Sequence, residues 1–401
     1  MKKILTALLL LGALALSGCA AMTDRDYLSI QPHRDNLTAA NDPSAYRAEN
    51  YTALGEVIHS MVEAGLEHGV VHLSNYTPRR SSSVETDLAD ACAEVAQRDP
   101  LGAYAVDFIK HDKSYIVSYY EANLYITYRR TRDQVESIVS VTGSSAVRTE
   151  IQEALSAFSA EKVLRISYFT EDAASIRDLV HEAYYAAPHV ALGMPEIEVE
   201  LYPSDEGYTG ALRIVEIRLT YPEDQDTLRT QALALAKQAE VLSQHTLGLG
   251  KEAAFRALDT LLKEQVTVFP TGKGDSPKRR GTAYAALVEE TADSEGVALA
   301  FQLLAQGAGL ESYVVTGSAG DIPHYWNIMA LPDGEYRHVD VTAAEGFALS
   351  DADLVALGYR WDRSAYRSCG AQPPPETAEI ATAEIPAEEG ETLPLEGGEK
   401  F

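Results

Sequence analysis

The chain is poor in cysteine, with three in 401 residues: Cys19, Cys92 and Cys369. That count excludes a disulfide-stapled scaffold and leaves Cys92–Cys369 as the internal pairing still open, which sequence alone does not settle. Cys92 stands with Leu88 and Val95 at helical spacing, the setting of a buried apolar thiol. Basic residues are also scarce: 33 Lys and Arg against 60 Asp and Glu leave a formal net charge of −27. A nucleic-acid binder needs a basic stripe to displace counterions, so that partner class is excluded, and the run "KRR" at 278–280 reads as a solvated loop. Neither a P-loop nor a Rossmann glycine fingerprint occurs, and no nucleotide, haem, flavin or other cofactor is expected. After the first 16 residues no apolar run is long enough to span a bilayer, which takes about 20 residues.

What the N-terminus does carry is Lys2 and Lys3, an apolar run from Ile4 to Leu16, and then Leu16-Ser17-Gly18-Cys19. A basic start followed by a short apolar stretch is a secretory signal rather than a membrane span. The "LSGC" ending resembles the lipobox of bacterial lipoproteins, which implies acylation of Cys19 and lipid anchoring outside the cytoplasmic membrane, since two acyl chains hold where one is marginal. The expected organisation is a signal peptide at 1–18 and a polar linker at 19–44. Two α+β units follow at 45–135 and 136–245, then a third domain at 246–368 and an acidic tail at 369–401. Ala371 to Phe401 holds eight Glu against one Lys and almost no aromatic residue, too little apolar surface to offset the entropy of ordering. The 46% apolar content is that of a chain with packed cores.

The front half reads as the same thing twice. "DLADACAEVAQRDP" (87–100) is a helical pattern followed by the alternating run "AYAVDF" and the strand-rich "SYIVSYYEANLYITYRR"; "DLVHEAYYAAP" (178–188) is followed by "EIEVELY" and "ALRIVEIRLTY". Each set is preceded by a helical segment and a strand, which predicts two tandem αβαββ units. The alternation Tyr104, Val106, Phe108 predicts one buried and one wet strand face, and Pro100 and Pro188 end their helices. Tyrosines on these strands serve as strand formers or as a partner surface, and one reading places the protein's function in these units.

From Thr246 to Tyr366 three segments in order carry a resemblance: "KEAAFRALDTLLKEQVTVFP", "GTAYAALVEETADSEGVALAFQLLAQGAGLESYVVTG" and "HYWNIMALPDGEYRHVDVT". They resemble the transglutaminase-like superfamily, which has a papain-like fold. The resemblance implies an overall α+β architecture ending in that core. It places the family's catalytic histidine on His324 and its aspartate on Asp340, and its nucleophilic cysteine falls on Ser294. Trp326 and Asn327 match residues beside the histidine and are candidate binding residues.

Val297, Ala298, Phe301, Leu304 and Ala305 follow helical spacing, so Ser294 lies at a helix start. A thiol there is activated by the helix dipole and an imidazolium; a hydroxyl is not, and needs a base and an oxyanion hole. Serine is also a good N-cap, which predicts that role for Ser294. His338, two residues before Asp340, makes His324, His338 and Asp340 a weak zinc-ligand pattern. The leading expectation is an extracytoplasmic lipoprotein, a pseudoenzyme of the cell envelope that holds a peptide, peptidoglycan or protein ligand without turnover. The other is a hydrolase or acyl transferase with a Ser294–His324–Asp340 triad.

Overall fold

A computed structural model describes residues 46–204, 207–270 and 277–370. Cys19, the linker before Tyr46 and the tail after Gly370 lie outside the described residues. The first layer begins with a two-residue strand β1 (Tyr46–Arg47), helix α1 (Tyr51–Glu63) and strand β2 (His68–Leu73). Asn50 caps α1 by accepting from the Ala53 N–H, and Leu54, Ile58, Met61 and Val62 bury one face. Helix α2 (Val84–Arg98) is capped by Ser83 and buries Leu88, Ala91, Cys92 and Val95. Here the structure corrects the expected strand at 103–108. Pro100 ends α2 but also occupies the first turn of a new helix, α3 (Pro100–Ala105), where Asp99 Oδ1 caps the Gly102 N–H at 2.8 Å. A fixed φ and a missing N–H suit proline to that place. Tyr104 is therefore a buried helical residue, and β3 (Val106–Ile116) starts with a bulge that leaves Phe108 exposed. With β4 (Tyr119–Tyr128) the sheet order is β1-β2-β4-β3, with β1 parallel to β2 and the other pairs antiparallel.

The second layer runs β5 (Val139–Thr142), α4 (Ser144–Ser156), β6 (Glu161–Ser167), α5 (Ala173–Ala186), β7 (Glu196–Tyr202) and β8 (Leu212–Thr220). Its sheet order is β5-β6-β8-β7, again with a parallel first pair. The second layer is thus βαβαββ, and the first the same with α3 added before β3, rather than the expected αβαββ, because a short edge strand precedes the first helix of each. The two are packed together. Val163 and Ile214, on the face of the second sheet turned away from its own helices, join the apolar cluster of the first layer, and the Tyr104 ring meets Tyr202 edge-on at 5.4 Å. At this joint Arg130 Nη2 donates to both oxygens of Glu216 (2.9 and 2.7 Å), whose side chain is 1% exposed.

Helices α6 (Gln225–Ser243), α7 (Lys251–Gln265), α8 (Ala283–Leu287) and α9 (Ser294–Gly307) follow, with a two-residue parallel pair, β9 (Thr267–Val268) and β10 (Thr291–Ala292), between them. Strands β11 (Ser312–Ala319), β12 (Ile322–Ala330), β13 (Tyr336–Val339), β14 (Phe347–Leu349) and β15 (Tyr359–Trp361), with helix α10 (Asp351–Ala356) before the last, form an antiparallel sheet of order β14-β13-β12-β11-β15. The largest apolar cluster runs without interruption from Val141 of the second layer to Val341, so one core crosses residue 246. Helix α9 sits at its centre, with Val297 through Phe301 almost wholly buried. Gly296 is required there: a Cβ would lie 2.4 Å from the Arg280 carbonyl and 2.7 Å from that of Thr282.

Candidate functional site

The first turn of α9 faces β12. The cap of this helix is Asp293, whose Oδ1 accepts from the Glu295 N–H (3.0 Å) and the Gly296 N–H (3.2 Å); Ser294 is the first helical residue, not the cap expected from sequence. Aspartate caps as well as serine does, and with Asp293 in that role the Ser294 hydroxyl points to the sheet instead. Ser294 Oγ accepts from the Tyr325 N–H at 3.3 Å, and the residue is 2% exposed. Burial pushes the Asp293 carboxyl up, against its two backbone donors and the charges of Arg280 and His324.

His324, next to Tyr325 on β12, places Nε2 2.7 Å from Asp340 Oδ2. Asp340, just beyond β13 and 1% exposed, also accepts from the Tyr359 hydroxyl (2.6 Å), the Thr342 N–H (2.9 Å) and the Thr342 hydroxyl (2.6 Å). Burial alone would raise this carboxyl; the hydrogen bond and charge of His324, with Thr342 and Tyr359, outweigh it and hold it below the ordinary carboxylate range. With Nε2 committed to Asp340, the imidazole keeps Nδ1 for a second partner. The structure therefore brings Ser294, His324 and Asp340 into one place on three elements, α9, β12 and the end of β13.

Trp326 and Asn327 lie beneath this place rather than lining it, each 1% exposed. The Trp326 ring stacks along His324 (centroids 6.3 Å apart, planes at 24°) and meets Tyr359 and Trp361 edge-on. Gly317 makes room for it, since a Cβ would lie 2.7 Å from the indole. Asn327 Nδ2 donates to the Ala298 carbonyl at 3.0 Å, tying β12 to α9.

His338 does not join His324 and Asp340 as a ligand set. Its Nδ1 accepts from the Trp326 indole N–H (3.1 Å) and its Nε2 lies 2.8 Å from Asp351 Oδ1. Asp351 and Cys369 complete a group with His338 whose donor atoms lie within 4.8 Å of one another. The hydrogen bonds argue against a metal there. Trp326 fixes the lone pair on Nδ1, so Nε2 carries the proton and points it at Asp351. A metal on Nε2 would move that proton to Nδ1, against the indole N–H. Burial holds the His338 imidazole below its ordinary range although Asp351 opposes it, as befits a neutral core residue.

Cys92 and Cys369 are free thiols, each 3% exposed, in separate clusters; burial pushes both up to about 12. Cys369 was expected at the start of the tail; instead its carbonyl accepts from the Asp351 N–H at 2.8 Å and it packs with Trp326 and Leu354.

Sequence reasoning missed four contributors: Asp293, Tyr359, Thr342 and Glu295. Glu295, half-buried beside Ser294, accepts from the Tyr185 hydroxyl at 2.9 Å. Burial, aided by the neighbouring Asp293 charge and opposed by Tyr185, pushes its carboxyl up to about 7. The Asp-Ser-Glu-Gly run announces the cap and the acid; nothing in the spacing announces Tyr359.

No protein-family profile matches the chain, and no curated protein matches it. Among solved structures, one described as a TGase is 13% identical, with 55% of this chain and 61% of that one covered and a TM-score of 0.25. The periplasmic domain of TgpA from Pseudomonas aeruginosa is 11% identical, with 38% and 66% covered and a TM-score of 0.22. The chain thus spans less than two thirds of either neighbour. These neighbours are transglutaminase-like proteins at low structural similarity, and the chain itself is a mixed helix-and-sheet protein. Among the described residues no helix is long and apolar enough to cross a membrane.

Proposed function

We propose that the chain is an extracytoplasmic lipoprotein, tethered through Cys19, whose back half is a transglutaminase-like domain that holds a peptide, cell-wall or protein ligand without turning it over. The carrying observation is the state of Ser294. At the position the family gives to its nucleophile stands a hydroxyl that is 2% exposed and engaged by the Tyr325 N–H. Such a hydroxyl needs its base aligned at the moment of attack, and a displacement of about 1 Å costs roughly a hundredfold in rate. The front half, in this reading, is one βαβαββ unit used twice, which the shared strand order supports.

The test is a pair of measurements on the full chain. Binding to purified peptidoglycan and its stem peptides is measured by calorimetry, and turnover is sought with activated esters, glutamine amides and amine acceptors. Binding without turnover is the expected result. For the anchor, Cys19→Ala should release the protein from membranes without unfolding it; continued partitioning at high salt would refute the lipid.

A second reading has an observation of its own, the intact His324–Asp340 pair at 2.7 Å. Ser294 is then the nucleophile, His324 the general base and Asp340 the carboxylate that orients it. Wild-type turnover that vanishes in Ser294→Ala would establish it.

A further inference from the structure

The Ser294 site is not built from the back half alone. Tyr185, near the end of α5 in the second βαβαββ layer, reaches it through three contacts. Its hydroxyl donates to Glu295 Oε1 at 2.9 Å. Its carbonyl, one of the four that a helix C-terminus leaves without an internal partner, accepts from Gln302 Nε2 at 3.0 Å. Its ring lies 6.1 Å from that of Tyr325, whose N–H is the donor to Ser294 Oγ. Gln302, 2% exposed, spends its other end on the Val314 N–H of β11 at 2.9 Å. One residue of the second layer is thereby fastened to the helix that carries Ser294 and packed against the strand that carries His324.

We propose that Tyr185 is a positioning residue of the Ser294 site: by holding Glu295 in the first turn of α9 and packing on Tyr325, it fixes where the Ser294 side chain stands and which charge stands beside it. The inference rests on the reading of this site as functional, and its test needs no ligand. The groups that face Glu295 are Tyr184 and Tyr185 from α5, Tyr325 from β12 and Asp293 from its own helix start. On the remaining side lies the backbone at Gly281, where a Cβ would come within 2.6 Å of Glu295 Oε2. Tyr185 is the group that favours the ionised form of Glu295, so removing its hydroxyl leaves Glu295 neutral over a wider pH range. A thiol placed at position 294 reports this directly, because a neighbouring negative charge opposes its ionisation.

The experiment follows the ultraviolet thiolate absorbance of the full chain carrying Ser294→Cys, titrated as the difference from the parent chain. It is repeated with Tyr185→Phe or Glu295→Gln added. Tyr185→Phe keeps the ring and Glu295→Gln keeps an acceptor for Tyr185, so folding is retained and confirmed by circular dichroism. Both additions are expected to lower the ionisation midpoint of the introduced thiol, Tyr185→Phe by about half a unit and Glu295→Gln by more. A Tyr185→Phe midpoint that superimposes on that of Ser294→Cys alone overturns the proposal; should Tyr185→Phe fail to fold, a superimposing Glu295→Gln midpoint overturns it equally. Failure of the unaltered chain to bind any wall fragment would instead sink the functional reading and leave this titration standing.

Discussion

Tyr359 donates its hydroxyl to Asp340 Oδ2 at 2.6 Å, the same oxygen that faces His324 Nε2 at 2.7 Å. One carboxylate oxygen thus serves two donors, and the negative charge that would steady an imidazolium is shared with a phenol. Tyr359→Phe removes a hydrogen bond to a buried charged group and should cost about 1.5–3 kcal/mol. Its pH dependence has a definite sign. Asp340 is held below its ordinary range, so it contributes stability above the unfolded carboxyl value that is lost as pH falls through the folded one. Losing Tyr359 raises the folded value, so the acid loss of stability should be smaller and complete at higher pH. Urea unfolding of wild type and Tyr359→Phe across the acid range measures this; parallel curves would show that the phenol does not act on Asp340.

The joint between the two front layers depends on a buried charge. Glu216 is 1% exposed and paired with Arg130, with Arg218 Nη1 at 3.4 Å as a weaker partner. Arg130→Met should cost about 3 kcal/mol by stranding that carboxylate. Adding Glu216→Gln should recover much of the loss, since the stranded charge rather than the lost attraction makes up most of it. A double variant no more stable than Arg130→Met would show that the stacking of the arginine head, whose guanidinium carbon lies 5.0 Å from the Tyr104 ring centroid, is what matters.

Glu295 supplies the opposite pH sign. Its carboxyl is pushed up to about 7, so the fold prefers it protonated, and stability present below the unfolded carboxyl value is lost as pH rises toward 7. Glu295→Gln should therefore stabilise the chain at pH about 8 by about 1–2 kcal/mol, discounted from the full linkage value for partial exposure, and change little at pH about 4. Guanidinium midpoints at the two pH values decide it; equal midpoints at high pH would mean that Glu295 finds a cation on ionising.

Where local pattern and packing agree, the sequence was readable. The spacing of Val297, Ala298, Phe301 and Leu304 announces α9, and these residues are buried in it. Asp293 and Ser294 are both good caps, and only the direction of the Ser294 hydroxyl toward Tyr325 separates their roles. Tyr104 and Val106 alternate as a strand would, yet Asp99 and Pro100 start a helix that overrides the pattern. Strands of two and four residues, β1 and β5, are too short to carry a period. Tyr359 stands 19 residues from Asp340, and Tyr185 stands 110 from Glu295. Contacts over such separations leave no local periodicity, and only the assembled fold brings them together.

A thiol introduced at position 294 gives the sharpest test of the site. Cys92 shows what burial alone does in this chain, pushing a thiol up to about 12, and Cys369, with the Asp351 charge beside it, reaches about the same value. Position 294 is as buried as either, so a cysteine there should titrate with them unless the helix start and His324 act on it. They are placed to act: the first turn of α9 favours a negative charge, and the His324 ring keeps Nδ1 after Nε2 goes to Asp340. Ser294→Cys should therefore give a thiol that ionises below about 8.5, the ordinary cysteine value, with slow thiol-dependent cleavage of an activated ester. Adding His324→Ala should move the midpoint up by about one unit or more and abolish the cleavage. A midpoint near that of Cys92, unchanged by His324→Ala, would show that the imidazole does not reach position 294 and that the three residues are neighbours without being a site.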